Sequence, residues 1–233
     1  MRMHDANWMQ IEHYLERDDR IVLPLGSTEQ HGYLSLGTDA ILAERIALEA
    51  AEPLGVPVAP AMPFGLVPYF GAYPGSPTLR TATYLEVLRD LLDSLHGQGF
   101  RRFLLVNGHG GNTGGAGIGP EWMAANPAGE VLWHDWWRGE RTWQVVQRID
   151  PEGAHANWME NLPWTRLEGV ELPERKPPVP AARLRTLDPV RVREVLGDGS
   201  YGGAYAQPDE QVLQMWATGV EEVRELLEGG WRS

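Results

Sequence analysis

Residues 103–112 read Phe103-Leu104-Leu105-Val106-Asn107-Gly108-His109-Gly110-Gly111-Asn112. Four consecutive large apolar residues suit a strand buried on both faces, the pattern of a parallel sheet covered by helices. The strand runs directly into a glycine-rich turn that carries one histidine. Beyond it, Gly114, Gly115, Gly117 and Gly119 are poor helix formers, so the next helix is expected to start late, with Pro120 at its first position. Upstream, Leu85, Leu88, Leu92 and Leu95 fall on one helical face behind a Thr81 cap, and Gly97 and Gly99 mark the end. Helix, buried strand and polar turn in succession point to an α/β fold.

The same grammar extends in both directions. Residues 21–25 form the first strand candidate and end at Gly26, in a polar turn holding Ser27, Thr28, Glu29, Gln30 and His31. Thr38 can cap the following helix, in which Ile41, Leu42 and Ile46 share a face and Asp39 lies in the first turn. Residues 56–59 suit a second strand, kept short or toward an edge by Pro57 and Pro60. Residues 60–77, rich in Pro, Gly and aromatics, read as a long ordered loop. Residues 131–133 form a further strand, followed by an aromatic stretch through 143. The prolines and charges of residues 172–180 describe a surface excursion. Asp188-Pro189 starts a short helix, and Asp209 begins an amphipathic one through Val212, Met215, Val220, Val223 and Leu227. Neither an internal repeat nor a low-complexity linker is visible.

A chain of 233 residues fits one α/β domain over 1–233, because single domains commonly reach about 200 residues or more when a sheet is covered on both faces. Hydrophobic and charged fractions of 42% and 22% are ordinary for a globular protein. A net charge of -12 argues against nucleic acid as a partner, since phosphate binding needs a clustered excess of Lys and Arg. Small molecules or short peptides are the better expectation. With no cysteine, disulfides, thiolate metal sites and a cysteine nucleophile are excluded, so a transition metal must rest on His and carboxylate. No run approaches the roughly 18 apolar residues of a membrane span, and Met1 leads into charged residues rather than an apolar signal core, so the cytoplasm is the simplest expectation.

Glu29, His31 and Asp39 follow the first strand and His109 follows the central one. In an open parallel sheet those ends converge on the edge where ligands bind. Their oxygen and imidazole donors suit Zn, Mn or Fe, and a carboxylate between two ions, most naturally Asp39, can bridge them. Each has a plainer reading: Glu29 as a solvated loop charge, His31 as a turn histidine, and Asp39 as favourable charge at a helix start. The glycine-rich turn also has a rival reading as a phosphate cradle. It lacks the Lys-Ser/Thr ending of a P-loop and the spacing of a dinucleotide fingerprint.

Taken together, Ser27-Thr28-Glu29-Gln30-His31-Gly32 with Thr38-Asp39, then Asn107-Gly108-His109-Gly110-Gly111-Asn112, resembles the creatininase (creatinine amidohydrolase) family. The resemblance extends through Pro74-Gly75 and His155-Ala156. It implies a three-layer α/β/α sandwich with a mostly parallel central sheet, a dinuclear metal site, hydrolysis of a C–N amide, lactam or formamide bond, and commonly a hexamer. By position, Glu29 and His109 would hold one metal, His31 the other, and Asp39 both. In creatininase itself the second metal takes a glutamate two residues after the counterpart of His109, where this chain has Gly111. Relatives with glycine there use a later glutamate in a His-Ala-Gly-x-x-Glu segment, which here reads His155-Ala156-Asn157-Trp158-Met159-Glu160. Glu160 is thereby the implied fifth ligand and His155 the implied proton-transfer residue. Three features depart from the pattern: the loop between His31 and Asp39 is one residue short, Phe70 stands where many relatives have histidine, and Asn157 replaces glycine.

The resemblance implies two divalent ions roughly 3.5 to 4 Å apart that acidify a bridging water and polarise the substrate carbonyl. Asn107 or Asn112 could orient ligands. Trp133, Trp136, Trp137 and Trp158 could wall a pocket or an oligomer interface, although core packing is the commoner fate of tryptophan. The competing classes are a non-catalytic metal-binding or oligomeric scaffold protein and a nucleotide-binding α/β protein.

Overall fold

A computed structural model describes residues 1–232. In chain order its elements are α1 (Trp8–Leu15), β1 (Arg20–Leu25), α2 (Thr38–Ala51), α3 (Thr81–Gln98), β2 (Arg102–Asn107), α4 (Ile118–Ala125), β3 (Glu130–Asp135), α5 (Glu140–Ile149), β4 (Arg175–Lys176), α6 (Ala181–Leu184), α7 (Pro189–Leu196), β5 (Gly203–Ala204) and α8 (Asp209–Gly229). Strands β1, β2 and β3 form a parallel sheet in that order, with Leu25, Asn107 and Asp135 in register at its carboxyl edge. The pair β4 and β5 is antiparallel and separate.

Strand side chains alternate between faces, and here both faces are apolar. Ile21, Leu23, Leu25, Phe103, Leu105 and Val131 pack with Tyr14 of α1, Leu88 and Leu92 of α3, and Trp122 of α4. Val22, Leu104 and Val106 point the other way, onto Leu42 and Ile46 of α2, Val146 of α5, and Val212, Met215 and Val223 of α8. The result is the three-layer α/β/α arrangement that the strand composition requires. A third cluster joins Val67, Phe70 and Tyr73 to Leu184 of α6 and Val192 and Leu196 of α7. It steadies the loop that overhangs the carboxyl edge.

Several local expectations shift by small amounts. Residues 56–59 do not form a regular strand: Val58 and Met62 make single parallel bridges to Val22 and Leu25. Prolines at 57, 60 and 63 remove the N–H groups that a continuous ladder would need. Thr38 and Thr81 are the first residues of their helices rather than the caps, which are Gly37 and Arg80. The Thr38 hydroxyl instead donates to the Ser35 carbonyl at 2.7 Å. Asp188 does cap α7, accepting from the Val190 and Arg191 amides. Residues Gly110–Gly117 wind as a 3-10 helix, so Pro120 is the third residue of α4, not its first.

Two glycines set the approach of α2 to the sheet edge. A Cβ on Gly26 would lie 2.4 Å from the Ala40 Cα, and one on Gly108 would lie 2.3 Å from the Asp39 carbonyl oxygen. Both neighbours are backbone and cannot swing away, so the first turn of α2 is pressed against the ends of β1 and β2. Gly108→Ala is expected to destabilise the protein by about 3 kcal/mol through this overlap. Denaturant unfolding checks it, and an unchanged midpoint would show that α2 can retreat. Among the described residues no helix is long and apolar enough to cross a membrane.

Candidate metal centre

Because α2 starts where β1 and β2 end, Asp39 meets the histidines presented by the two turns. The Asp39 carboxylate lies 2.9 Å from His31 Nε2 through Oδ1 and 2.8 Å from His109 Nδ1 through Oδ2. Glu29 Oε1 is 3.3 Å from His109 Nδ1 and 3.6 Å from His155 Nδ1. Glu160 Oε2 is 3.7 Å from His31 Nε2 and 4.0 Å from His155 Nδ1. The structure thus brings all six residues singled out in the sequence into one cluster. Three triads have donor atoms within 4.8 Å of one another: Glu29, Asp39 and His109; His31, Asp39 and Glu160; and Glu29, His31 and His155. The first two share Asp39 and divide the five carboxylate and imidazole donors between them.

Each histidine is aimed by a backbone or amide partner. His109 Nε2–H donates to the Leu66 carbonyl at 2.8 Å, leaving Nδ1 toward Asp39 and Glu29. His31 Nδ1–H donates to the Glu29 carbonyl at 3.1 Å, leaving Nε2 toward Asp39 and Glu160. Gln30 fixes the third ring. Its Oε1 accepts from the Gly32 amide and its Nε2 donates to the Gly199 carbonyl, which sets the amide orientation. Nε2 therefore also donates to His155 Nε2 at 2.8 Å, and the His155 proton sits on Nδ1, facing Glu29 and Glu160.

Supporting contacts come from Ser27, which carried no role of its own in the sequence reading, and from the two asparagines that did. Ser27 donates to Asp39 Oδ2 at 2.7 Å. Asn112 donates to the Gly26 carbonyl and accepts from the Leu66 amide, both at 3.0 Å, so it ties the β1 turn to the carbonyl that aims His109. Asn107 accepts from the His109 amide and donates to the His109 carbonyl and to Asp135. Both asparagines thus act on the His109 turn, as the sequence suggested for one or the other.

Gly111 has a steric cause as well. A Cβ there would fall 2.0 Å from the Leu66 carbonyl oxygen and 2.4 Å from His109 Nε2, across their hydrogen bond. No carboxylate can project from position 111 without displacing this loop. The carboxylate near His31 comes instead from Glu160, whose Oε2 accepts from the Ala156 amide at 2.6 Å. Asn157 does not loosen that segment. Its side chain donates to the Glu152 and Gly202 carbonyls and accepts from the Ala154 and Met159 amides. The left-handed residue is Ala156, at φ 56. Asn157→Ala is expected to cost about 3 kcal/mol, because four backbone groups lose a buried partner, and to displace Glu160. Thermal unfolding together with metal titration checks both effects.

The electrostatics are those of a site built for cations. Burial pushes the Glu29 carboxyl up, and neither of its oxygens has a hydrogen-bond donor. A buried carboxylate without donors is costly unless a positive charge offsets it, which is what an ion between Glu29, Asp39 and His109 would provide. Burial also pushes Glu160 up to about 7. Burial opposes charge on His31 and His109, but the carboxylates prevail: Asp39, with Glu160 and Glu29, brings His31 to about 10, and Glu29 and Asp39 raise His109 well above its ordinary value. Burial likewise opposes the Asp39 charge, and the two histidines overcome it and hold its pKa well below the carboxylate range. Burial and the charge of His31 depress His155, which is neutral.

In the cation-free protein at neutral pH, His31 and His109 carry protons that a metal must displace. Affinity is therefore expected to rise with pH between 6 and 8, with release of about two protons per chain from the histidines and a further fraction of one from Glu160. Calorimetry in buffers of different ionisation enthalpy measures this, and pH-independent affinity would contradict it.

A cavity of about 720 Å³ opens over the cluster. Glu29, Asp39, His109, His155 and Glu160 lie at its floor, with Leu66, Val67, Phe70, Trp137, Trp143, Met159 and Tyr201 among its walls. Phe70 stacks on His155 at 4.9 Å and 17°, and Tyr201 lies 5.1 Å away on a tilted plane. Of the tryptophans considered from sequence, Trp137 lines the cavity, whereas Trp136 and Trp158 are core residues and Trp133 packs at the edge of the other core.

Comparison with known proteins bears on family and fold. The profile of the family described as "Creatininase: Creatinine amidohydrolase" matches residues 4–227. The chain is 34% identical over 103 residues to the 3-dehydro-scyllo-inosose hydrolase of Thermotoga maritima, covering 43% of this chain and 33% of that protein. It is 27% identical over 162 residues to the creatinine amidohydrolase of Pseudomonas putida, covering 64% and 62% respectively. The matched segments thus span less than two thirds of either relative. A solved mutant creatininase of Zn-Zn type superposes with a TM-score of 0.80 at 21% identity, over 100% of this chain and 98% of that one.

Proposed function

This chain belongs to the creatininase family, and from that premise we propose that it is a dinuclear metal-dependent hydrolase of C–N bonds in amides, lactams or formamides of small molecules or short peptides. The observation that carries the reading is the pair of donor triads that share Asp39 at the floor of an apolar-walled cavity. Glu29, Asp39 and His109 would hold one divalent ion and His31, Asp39 and Glu160 the other. Zinc, manganese and iron all accept this donor set. When bound, such ions supply polarisation of a carbonyl and a water made acidic near neutral pH.

The chain's own residues do the rest. Leu66 and Glu29 carbonyls lock the imidazoles with their reactive nitrogens inward, so the donors are held before substrate arrives. A floor carboxylate takes the proton that the attacking water releases and passes it to the leaving nitrogen as the C–N bond breaks, and His155, neutral with its proton on Nδ1 facing Glu29 and Glu160, steers that transfer. Phe70 and Tyr201 flank the ring and limit water access to it. The apolar walls hold the body of the substrate. Sharing of β1 and β2 by both cores supports a single catalytic domain over the chain. A homo-oligomer, with the hexamer common in the family, belongs to the same reading, and light scattering would test it.

The test combines metal content with turnover. Purified protein reconstituted with zinc or manganese should carry two ions per chain and release amine from a panel of cyclic amides, N-formyl compounds and short peptides. Fewer than one ion per chain, or full turnover after chelation, would overturn the proposal.

A further inference from the structure

The cavity carries one arginine. We infer that Arg138 makes this site selective for amides that bear a carboxylate on an apolar body; the inference rests on the hydrolase reading and names its substrate class. Arg138 lies in the turn that follows β3, at the same sheet edge as the other cavity residues. Among the described residues that line the cavity it is the sole Lys or Arg.

Its guanidinium makes no hydrogen bond among the described residues; its contacts are an ion pair with Asp135 and the Trp137 ring, 5.9 Å away. The nearest carboxylate oxygen, Asp135 Oδ2, is 3.6 Å away, beyond hydrogen-bond distance, and the Arg138 side chain is 62% exposed. Asp135 is already engaged by Asn107, Trp133 and Thr113. Arg138 also borders a shallow hollow with Glu222 and Glu225, yet forms an ion pair with neither among the described residues. Glu222 is held by Arg141 and Thr142.

An exposed arginine is ordinarily a solvated charge. Here its surroundings argue for more. The chain carries a net charge of -12 and three carboxylates line the cavity, so apart from the cationic centre at the floor Arg138 is the one lysine or arginine an anion meets on entering. The Trp137 ring lies 5.9 Å from the Arg138 guanidinium carbon and Trp143 lines the same cavity, so the charge sits at the rim of an apolar wall where a carboxylate can make charge-assisted hydrogen bonds. A guanidinium with free donors matches the two oxygens of a carboxylate, which a lysine would contact only as a point charge. The charged end of the substrate then rests on Arg138, its apolar portion on the tryptophans, and its scissile amide over the floor.

The test is a binding comparison on the full-length protein with and without zinc, using N-acetyl-L-phenylalanine and its uncharged amide, N-acetyl-L-phenylalaninamide, in calorimetric titrations. Wild type should bind the acid about tenfold more tightly than the amide. R138Q should lose that preference while its affinity for the amide and its zinc content stay unchanged, and R138K should recover part of it. Where the acid is hydrolysed, R138Q should raise KM and leave kcat nearly constant. Equal binding of the acid by wild type and R138Q, or binding of neither probe by wild type, overturns the inference. Failure of zinc to load, with an Arg138-dependent preference intact, would overturn the hydrolase reading instead.

Discussion

Asp39→Ala is expected to empty both metal positions and abolish hydrolysis. Asp39 is the one residue shared by the two triads, with Oδ1 turned to His31 and Oδ2 to His109. Removing it leaves each ion with two donors from its triad, and it removes the charge that keeps the histidines aligned. Loss of even one electrostatic stabiliser commonly costs on the order of 10² to 10³ in rate, so loss of both ions should leave turnover below detection. Asp39→Asn separates charge from shape: it preserves volume and a hydrogen-bonding oxygen, and it should still fail to hold two ions. Metal analysis beside an activity assay checks both variants. Retention of two ions per chain by either would refute the bridging role.

Glu160→Gln should have a different signature. The triad of Glu29, Asp39 and His109 does not include Glu160, so one ion should remain while the other is lost, and turnover should fall about 10² to 10³-fold. Glutamine retains an oxygen for the Ala156 amide, so the loop should keep its shape. The metal-free variant should also respond differently to pH. Glu160 is raised from the ordinary carboxyl value to about 7 in the folded protein, so between those values the folded state binds more protons than the unfolded chain. Its contribution to stability therefore falls as pH rises through that window. Glu160→Gln removes this loss, and metal-free variant should be more stable than metal-free wild type above pH 7. Equal stabilities there, or two ions retained, would contradict the assignment.

The parts of this account legible in sequence are those written in side-chain pattern. Residues 21–25 and 103–106 are apolar without interruption because both faces of their strands are covered, and that fixed the sheet. Glu29, His31, Asp39 and His109 stood out because they follow strand ends that a parallel sheet must align at one edge. Glu160 was reachable only through the family resemblance and the glycine at 111, whose steric cause appears once the Leu66 carbonyl is in place. What sequence could not supply is carried by backbone. Any residue has a carbonyl, so nothing marks Leu66 as the partner of His109. The positive φ falls on Ala156 rather than on Asn157, where a glycine would have suggested it, because the Asn157 side chain holds the segment through four hydrogen bonds. Residues 56–59 had strand composition, yet the neighbouring prolines reduced them to isolated bridges. Gln30 and Ser27 lay within the motif, but their roles depend on Gly199, His155 and Asp39, which only the fold brings near.

The central claim is that two ions share Asp39. Diffraction from crystals of the zinc- or manganese-loaded protein, collected on either side of the metal absorption edge, tests it most directly. The account predicts two anomalous peaks per chain, one against Glu29, Asp39 and His109 and the other against His31, Asp39 and Glu160. A single peak, or a second peak coordinated without Asp39, would contradict it.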